Sequence, residues 1–361
     1  EMLSPLGLEV EILTGSVKGK KRKEVLARIA NSEIDILIGT HALIEPTVVF
    51  KNLGIVVIDE QHRFGVQQRA QLRTKSVIPP HILVMTATPI PRSLAMVFYG
   101  DLDYSVIDEL PPGRKPIKTL HKRDANRLAV YGFMRDEIAK GRQIYVVYPL
   151  IEESEKSDLA SLMEGYESLI QSFPRPQYHI SVLHGKMKPE LKEIEMQQFI
   201  KHNTHIMVAT TVIEVGVNVP NASVMVIENS ERFGLSQLHQ LRGRVGRGAE
   251  QSFCILMTGD KLSNDSKVRI KTMCETNDGF KVSEVDLDLR GPGNIEGTQQ
   301  SGDIQLKISN LALDKAILEE ARNAAVKLLE QDPDLANPQH IGLRNYFKMH
   351  ASLNKDWSQV L

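Results

Sequence analysis

Two adjacent carboxylates, Asp59 and Glu60, end a short apolar run, Ile55-Val-Val-Ile58. An acidic pair delivered by a β-branched run to a strand end suits magnesium-dependent nucleotide hydrolysis. Asp59 would hold Mg2+ through water, because that ion keeps much of its hydration shell. Glu60 would orient and deprotonate the attacking water. Farther along stands Gln237-Leu-His-Gln-Leu-Arg-Gly-Arg-Val-Gly-Arg247, in which Arg242, Arg244 and Arg247 alternate with small residues. Guanidinium forks match phosphate oxygens, and glycine lets the backbone approach another surface closely. Arginines brought from a second lobe would stabilise the charge spread over a transferring γ-phosphoryl group. Alone, the acidic pair reads as a solvated turn and the arginines as a surface loop; together they read as a nucleotide site.

Two more strand ends carry polar residues. Met85-Thr-Ala-Thr-Pro-Ile-Pro91 places Thr86 and Thr88 in a stiff turn after an apolar run, able to relay the nucleotide state by hydrogen bonding. An ordinary connection with Thr88 as a helix cap explains it equally well. Val208-Ala-Thr-Thr-Val-Ile-Glu-Val-Gly-Val-Asn-Val-Pro220 clusters Thr210, Thr211, Glu214, Gly216 and Asn218. Their hydroxyls and amides suit a nucleic-acid phosphate or a nucleotide sugar.

Parallel α/β units must position these groups, because strand-like and helix-like runs alternate. Strands are expected near 10–13, 34–39, 53–58 and 82–86, with helices over 22–30 and from Arg92 onward. An apolar run such as 55–58 fits a sheet covered on both faces, whose ligands lie beyond the carboxyl ends of the strands. Leu110-Pro-Pro-Gly-Arg-Lys-Pro116 is a stiff linker. A second block has expected strands at 117–120, 144–147, 180–183, 206–209, 224–227 and 253–257, and helices at 124–139, 188–200 and 235–241. From about residue 260 the pattern turns helical, with helices over 266–276 and 314–329 around a glycine-rich stretch, 289–302. The boundaries expected are 1–112, 113–262 and 263–361. The 361 residues are 42% hydrophobic, enough for packed cores, and the net charge of −1 leaves nucleic-acid contact to local patches. One such patch is Lys18-Gly-Lys-Lys-Arg-Lys23, equally a solvated helix start. Two cysteines, Cys254 and Cys274, exclude a disulfide framework and fit a reducing cytoplasm. No apolar run approaches the ~18 residues of a membrane span.

These motifs, in this order and spelled Asp59-Glu-Gln-His-Arg-Phe-Gly65 and Gly234-Leu-Ser-Gln-Leu-His-Gln-Leu-Arg-Gly-Arg-Val-Gly-Arg247, resemble the RecG family of superfamily 2 helicases over nearly the whole chain. The resemblance implies an α/β fold of two RecA-like parallel-sheet lobes, the first incomplete, followed by a mainly helical C-terminal module. It implies ATP and Mg2+ as cofactors, Gln240 beside Asp59, Glu60, Arg244 and Arg247 in catalysis, and Gly216 and Asn218 at the nucleotide. Leu13-Thr-Gly-Ser16 and Ile38-Gly-Thr-His-Ala-Leu-Ile44 match family loops that touch the translocated strand, which brings in Thr14, Gly15 and Thr40. Val182-Leu-His-Gly-Lys-Met187 brings in His184, and His62 would link the nucleotide to the DNA surface. Asn277-Asp-Gly-Phe280 and the 289–302 stretch resemble the translocation motif shared with the transcription–repair coupling factor, with Arg290 and Gln300 as its working residues. Implied partners are branched DNA (forks and Holliday junctions, in repair and recombination) and a single-strand DNA-binding protein. The implied location is the bacterial cytoplasm, associated with the nucleoid, without a membrane.

The sequence departs from that pattern in two places. No G-x-x-x-x-G-K-[S/T] phosphate loop occurs. The nearest string, Gly15-Ser-Val-Lys-Gly-Lys-Lys21, has the wrong spacing and lysine where the hydroxyl belongs. The chain is therefore expected to be the C-terminal portion of a longer enzyme, without ATPase activity by itself. Asn218 stands where an aspartate is expected. The alternatives are an RNA helicase and a non-catalytic nucleic-acid-binding scaffold derived from a helicase.

Overall fold

The computed structural model describes residues 3–60, 72, 75–76, 78–86, 105–107, 109–149, 155–210, 219–290 and 314–350. In the first lobe, strands β1 (Val10–Leu13) and β2 (Ile36–Gly39) pair in parallel, as do β3 (Ile55–Ile58) and β4 (His81–Val84). Helix α1 (Gly19–Ala30) lies between β1 and β2. It buries Val25 and Ile29, spaced four apart, against Leu13 and Val48. Its lysines 20, 21 and 23 are exposed and Arg22 pairs with Glu45 at 2.7 Å, so the basic run is the solvated start of a helix.

The expectation of a first-lobe sheet covered on both faces is not met among the described residues. Ile58 is buried with Ile44 and Leu72, but Ile55 is 62% and Val57 54% exposed. Side chains alternate with a period of two along a strand, so a single packed face leaves every other apolar residue open.

The second lobe is a six-stranded, wholly parallel sheet: β5 (Lys118–Arg123), β6 (Gln143–Tyr148), β7 (Ile180–Leu183), β8 (Ile206–Thr210), β9 (Ala222–Ile227) and β10 (Phe253–Thr258). Its spatial order is β5-β10-β9-β6-β8-β7. β6, β8 and β9 are buried along their full lengths, as an apolar strand covered on both faces requires. Residues of β6 alternate between two cores. Ile144, Val146 and Tyr148 pack with Val130 and Met134 of α2 (Arg127–Ala139) and with Leu162 and Leu169 of α3 (Glu155–Ser172). Tyr145 and Val147 pack with α4 (Pro189–Ile200), α5 (Leu235–Arg242) and α6 (Asn264–Glu275) through Phe199, Leu238 and Met273. After β8 the chain crosses β6 to reach β9, which makes the β6/β9 boundary the switch point of the sheet.

The C-terminal part is helical. Helix α7 (Gly279–Arg290) is entered through Asp278, whose carboxylate accepts the Phe280 N–H at 2.8 Å. Helices α8 (Lys315–Gln331) and α9 (Ile341–His350) are joined by a turn centred on Asp332. Asp332 accepts the backbone N–H groups of Ala336 and Asn337 and contacts the His340 ring at 2.7 Å. Sequence periodicity anticipated neither α3 nor α7 nor α9. Among the described residues no helix is long and apolar enough to cross a membrane.

Candidate functional site

The acidic pair sits at the carboxyl end of β3. The register sets Ile58 beside Val84, and Met85 N–H donates to the Ile58 carbonyl at 2.8 Å, so Asp59 and Glu60 emerge next to Met85 and Thr86. Glu60 has φ of 51°, a left-handed conformation uncommon for a side-chain-bearing residue. Its N–H donates to Asp59 Oδ1 at 2.9 Å, which locks the turn. Asp59 and Thr86 are exposed and Glu60 is half-buried.

The β1/β2 pair has the same architecture. Leu13 and Gly39 are in register, so Thr14 and Thr40 leave adjacent strand ends. A Cβ at residue 39 would overlap the Leu13 carbonyl oxygen, so only glycine lets these strands end so close together. Thr14 Oγ1 and Ser16 Oγ are 2.7 Å apart across Gly15.

In the second lobe, Leu183 pairs with Ala209, which brings His184 and Thr210 to neighbouring strand ends. Among the described residues, both present buried atoms without a hydrogen-bond partner, His184 Nδ1 and Thr210 Oγ1. A buried polar atom left unsatisfied is unfavourable by about 1–3 kcal/mol, and a ligand group that bonded it would recover that penalty. Burial, reinforced by Lys192 and Lys186, lowers the His184 pKa.

Helix α5 is anchored by Leu235, Leu238 and Leu241, all buried, and its N-terminus by the Gly234 N–H donating to Gln237 Oε1 at 3.1 Å. Arg242 completes the buried stripe, because it follows Leu235 by seven positions. It donates to the carbonyls of Met273 and Thr276 at 2.9 and 2.7 Å, to Thr119 Oγ1 at 3.4 Å and to His239 Nδ1 at 3.0 Å. The three-arginine reading therefore divides: Arg242 is an internal strut between α5 and the end of α6, facing no solvent-filled cleft. Helical spacing was the signal that separates it from the other two.

Arg244 and Arg247 follow in a turn that Gly246, at φ of +77°, reverses. They are half-buried, as is Gln240. Among the described residues neither arginine forms a hydrogen bond or ion pair. The Arg247 pKa is lowered by burial first, then by Arg244 and Arg114. Tyr145, on β6, is held up at about 12 by burial while Arg247 and Arg244 oppose that shift. Two guanidinium groups without a carboxylate among the described residues, partly removed from water, make a site for an anion.

One constellation was not legible in the sequence. Glu228, just past β9 with its side chain 4% exposed, is gripped by Arg127 at 2.6 and 2.9 Å, and Arg127 also reaches Asp124 at 2.7 Å. The fork geometry makes this a strong pair. Glu228 N–H donates to Val147 O at 2.8 Å, and Ser230 Oγ donates to Met257 O at 2.9 Å. Together they fix the path from β9 into α5. A lone glutamate after a strand carries no motif, so nothing in the sequence marked it.

His62, Thr88, Thr211, Gly216, Asn218, Gln300 and the helix expected from Arg92 lie outside the described residues. Arg290 is the last residue of α7.

Family models match the chain in three places: a DEAD/DEAH box helicase model over residues 1–97, a helicase conserved C-terminal domain over 127–249, and the C-terminal part of domain 3 of the ATP-dependent DNA helicase RecG over 276–361. The ATP-dependent DNA helicase RecG of Synechocystis sp. is 53% identical over 330 residues, 91% of this chain and 39% of that protein. That of Bacillus subtilis is 50% identical over 338 residues, 94% of this chain and 49% of that protein. The chain thus spans between 39% and 49% of the length of these two relatives. A solved structure of RecG bound to a three-way DNA junction superposes with a TM-score of 0.65 at 43% identity, covering 88% of this chain and 40% of that one. A DUF1998 helicase, MrfA, bound to DNA and AMPPNP shares the fold at 15% identity and a TM-score of 0.55, covering 90% of this chain and 48% of that one. By sequence along nearly all of its length, and by fold, the chain belongs to the family of the ATP-dependent DNA helicase RecG.

Proposed function

We propose that this chain is the motor segment of an ATP-dependent DNA translocase acting on branched DNA, forks and Holliday junctions included. Asp59 and Glu60 face the phosphates from one lobe; Arg244, Arg247 and Gln240 meet them from the other as the lobes close. Asp59 would hold Mg2+ through water, and the ion would neutralise developing phosphate charge. Hard carboxylate oxygens at a strand end fit that ion. Glu60 orients the water and takes its proton. Gly216 and Asn218 contact the nucleotide. Thr14, Gly15, Thr40, His62, Thr86, Thr88, His184, Thr210 and Thr211 grip the DNA backbone or relay closure to it. Arg290 and Gln300 convert closure into pulling on the duplex. Branched DNA and a single-strand DNA-binding protein are the partners, in the bacterial cytoplasm at the nucleoid.

One observation carries this reading: two carboxylates stand at a strand end in one lobe, and two half-buried arginines in the other form no ion pair among the described residues. The chain contains no G-x-x-x-x-G-K-[S/T] loop, so by itself it should turn over ATP slowly. In a protein joining this segment to such a loop, Glu60→Gln should lower DNA-stimulated turnover by about 10²–10⁴-fold, the range expected of a general base, with nucleotide affinity retained. Near-unchanged turnover would refute the assignment.

A further inference from the structure

The segment joining the two lobes is seated on the arginine turn. Its path is rigid: Arg114 N–H donates to Pro111 O at 3.1 Å across Pro112 and Gly113, and Gly113 has φ of +82°. Proline second and a positive-φ glycine third make this a type II turn. Downstream, Gln251 Nε2 donates to the Pro116 carbonyl at 2.8 Å, and Lys118 N–H donates to the Ser252 carbonyl at 3.0 Å. Ile117 packs so tightly on Gly246 that a Cβ there would lie 2.9 Å from Ile117 Cγ1. Arg247 is the next residue after Gly246, and Arg114 is three residues before Ile117, within about 10 Å of chain. Ile117 seated on Gly246 thus brings Arg114 into the neighbourhood of Arg247, close enough that its charge disfavours the Arg247 cation. Among the described residues no carboxylate pairs with any of the three.

Like charges this near each other repel, and the turn that presents Arg114 is built rather than floppy. We infer that Arg114 is a third phosphate ligand, completing with Arg244 and Arg247 a cradle for the polyphosphate tail of a nucleotide. This rests on the proposed role of Arg244 and Arg247. It adds that the interlobe connection itself touches the bound anion, so nucleotide occupancy acts directly on the segment about which the lobes turn.

Inorganic tripolyphosphate, titrated calorimetrically into the 361-residue chain at low ionic strength, tests the cradle. Arg114→Ala should weaken binding roughly tenfold, the scale of one lost charge-assisted contact. Its unfolding temperature without anion should be unchanged or raised, because a repelling charge has gone. Unaltered tripolyphosphate affinity in Arg114→Ala, whether or not stability falls, overturns the inference. So does a loss confined to single-stranded oligonucleotide binding. If Arg247→Ala weakens tripolyphosphate while Arg114→Ala does not, the two-arginine site stands and Arg114 leaves it. If the unaltered chain binds no tripolyphosphate, both assignments fall.

Discussion

His239 lies one residue before Gln240 and accepts a hydrogen bond from Arg242 at Nδ1, 3.0 Å away. Arginine can only donate, so the ring must be neutral with its proton on Nε2. Burial first, and the Arg242 charge second, hold its pKa at about 4, below the ordinary 6.5. Between those values the unfolded chain binds a proton that the folded chain does not. Stability therefore falls as pH drops through 6.5 and levels off below about 4. The gap between 6.5 and about 4, at about 1.36 kcal/mol per pH unit, amounts to about 3 kcal/mol. His239→Gln removes the titration and keeps an acceptor for Arg242. Urea unfolding followed by far-ultraviolet circular dichroism, at several pH values across that window, isolates the contribution as the difference between the two proteins, since all other groups cancel. The wild-type curve should descend about 3 kcal/mol further than the variant's. Parallel curves would refute the claim that Arg242 and burial exclude the imidazolium.

Arg242 and its neighbours should separate cleanly by stability. Arg242→Ala, which orphans the buried Met273 carbonyl and the half-buried Thr276 carbonyl, should be destabilising by about 2–4 kcal/mol, whereas Arg244→Ala and Arg247→Ala should stay within about 0.5 kcal/mol; thermal unfolding of the three variants decides it. Glu228→Ala should be destabilising by about 2–3 kcal/mol, toward the low end for a broken buried pair because Asp124 still holds Arg127. A double-mutant cycle with Arg127→Ala should recover part of that loss; strict additivity would show that the pair is not coupled.

The strand ends were the most legible part of the chain. Apolar runs rich in β-branched residues, such as Ile55–Ile58 and the Ile206-Met-Val-Ala209 stretch, declare strands by themselves, and parallel topology forces whatever follows them to one edge. That is why Asp59, Thr86 and Thr210 could be singled out without coordinates, whereas His184 was marked only by its resemblance to a family motif. Helices marked by strong periodicity, such as α4 and α5, were equally plain. α3 was hidden because its charged, serine-rich start reads as loop, although Leu162 and Leu169 seven residues apart supply its buried face. The role of Arg242 depends on carbonyls of α6, thirty-odd residues away, and the Arg127–Glu228 pair spans a hundred. Such tertiary pairings leave no local trace. Nor could the sequence show that Arg114 is brought to Arg247, which depends on Ile117 closing over Gly246.

The strand order of the second lobe has a consequence for synthesis. β5 lies at the rim of the sheet and pairs with β10, in register from Lys118 with Phe253. As the chain leaves the ribosome, β5 has no strand to bind until roughly 135 further residues have been translated, about 7 to 27 seconds at ~5–20 residues per second. Throughout that interval its backbone is an open template beside the nascent β6–β9 layer. The arginine turn, which lies between β9 and β10 in the chain, gains its seat on the interlobe segment only when that last strand closes the sheet.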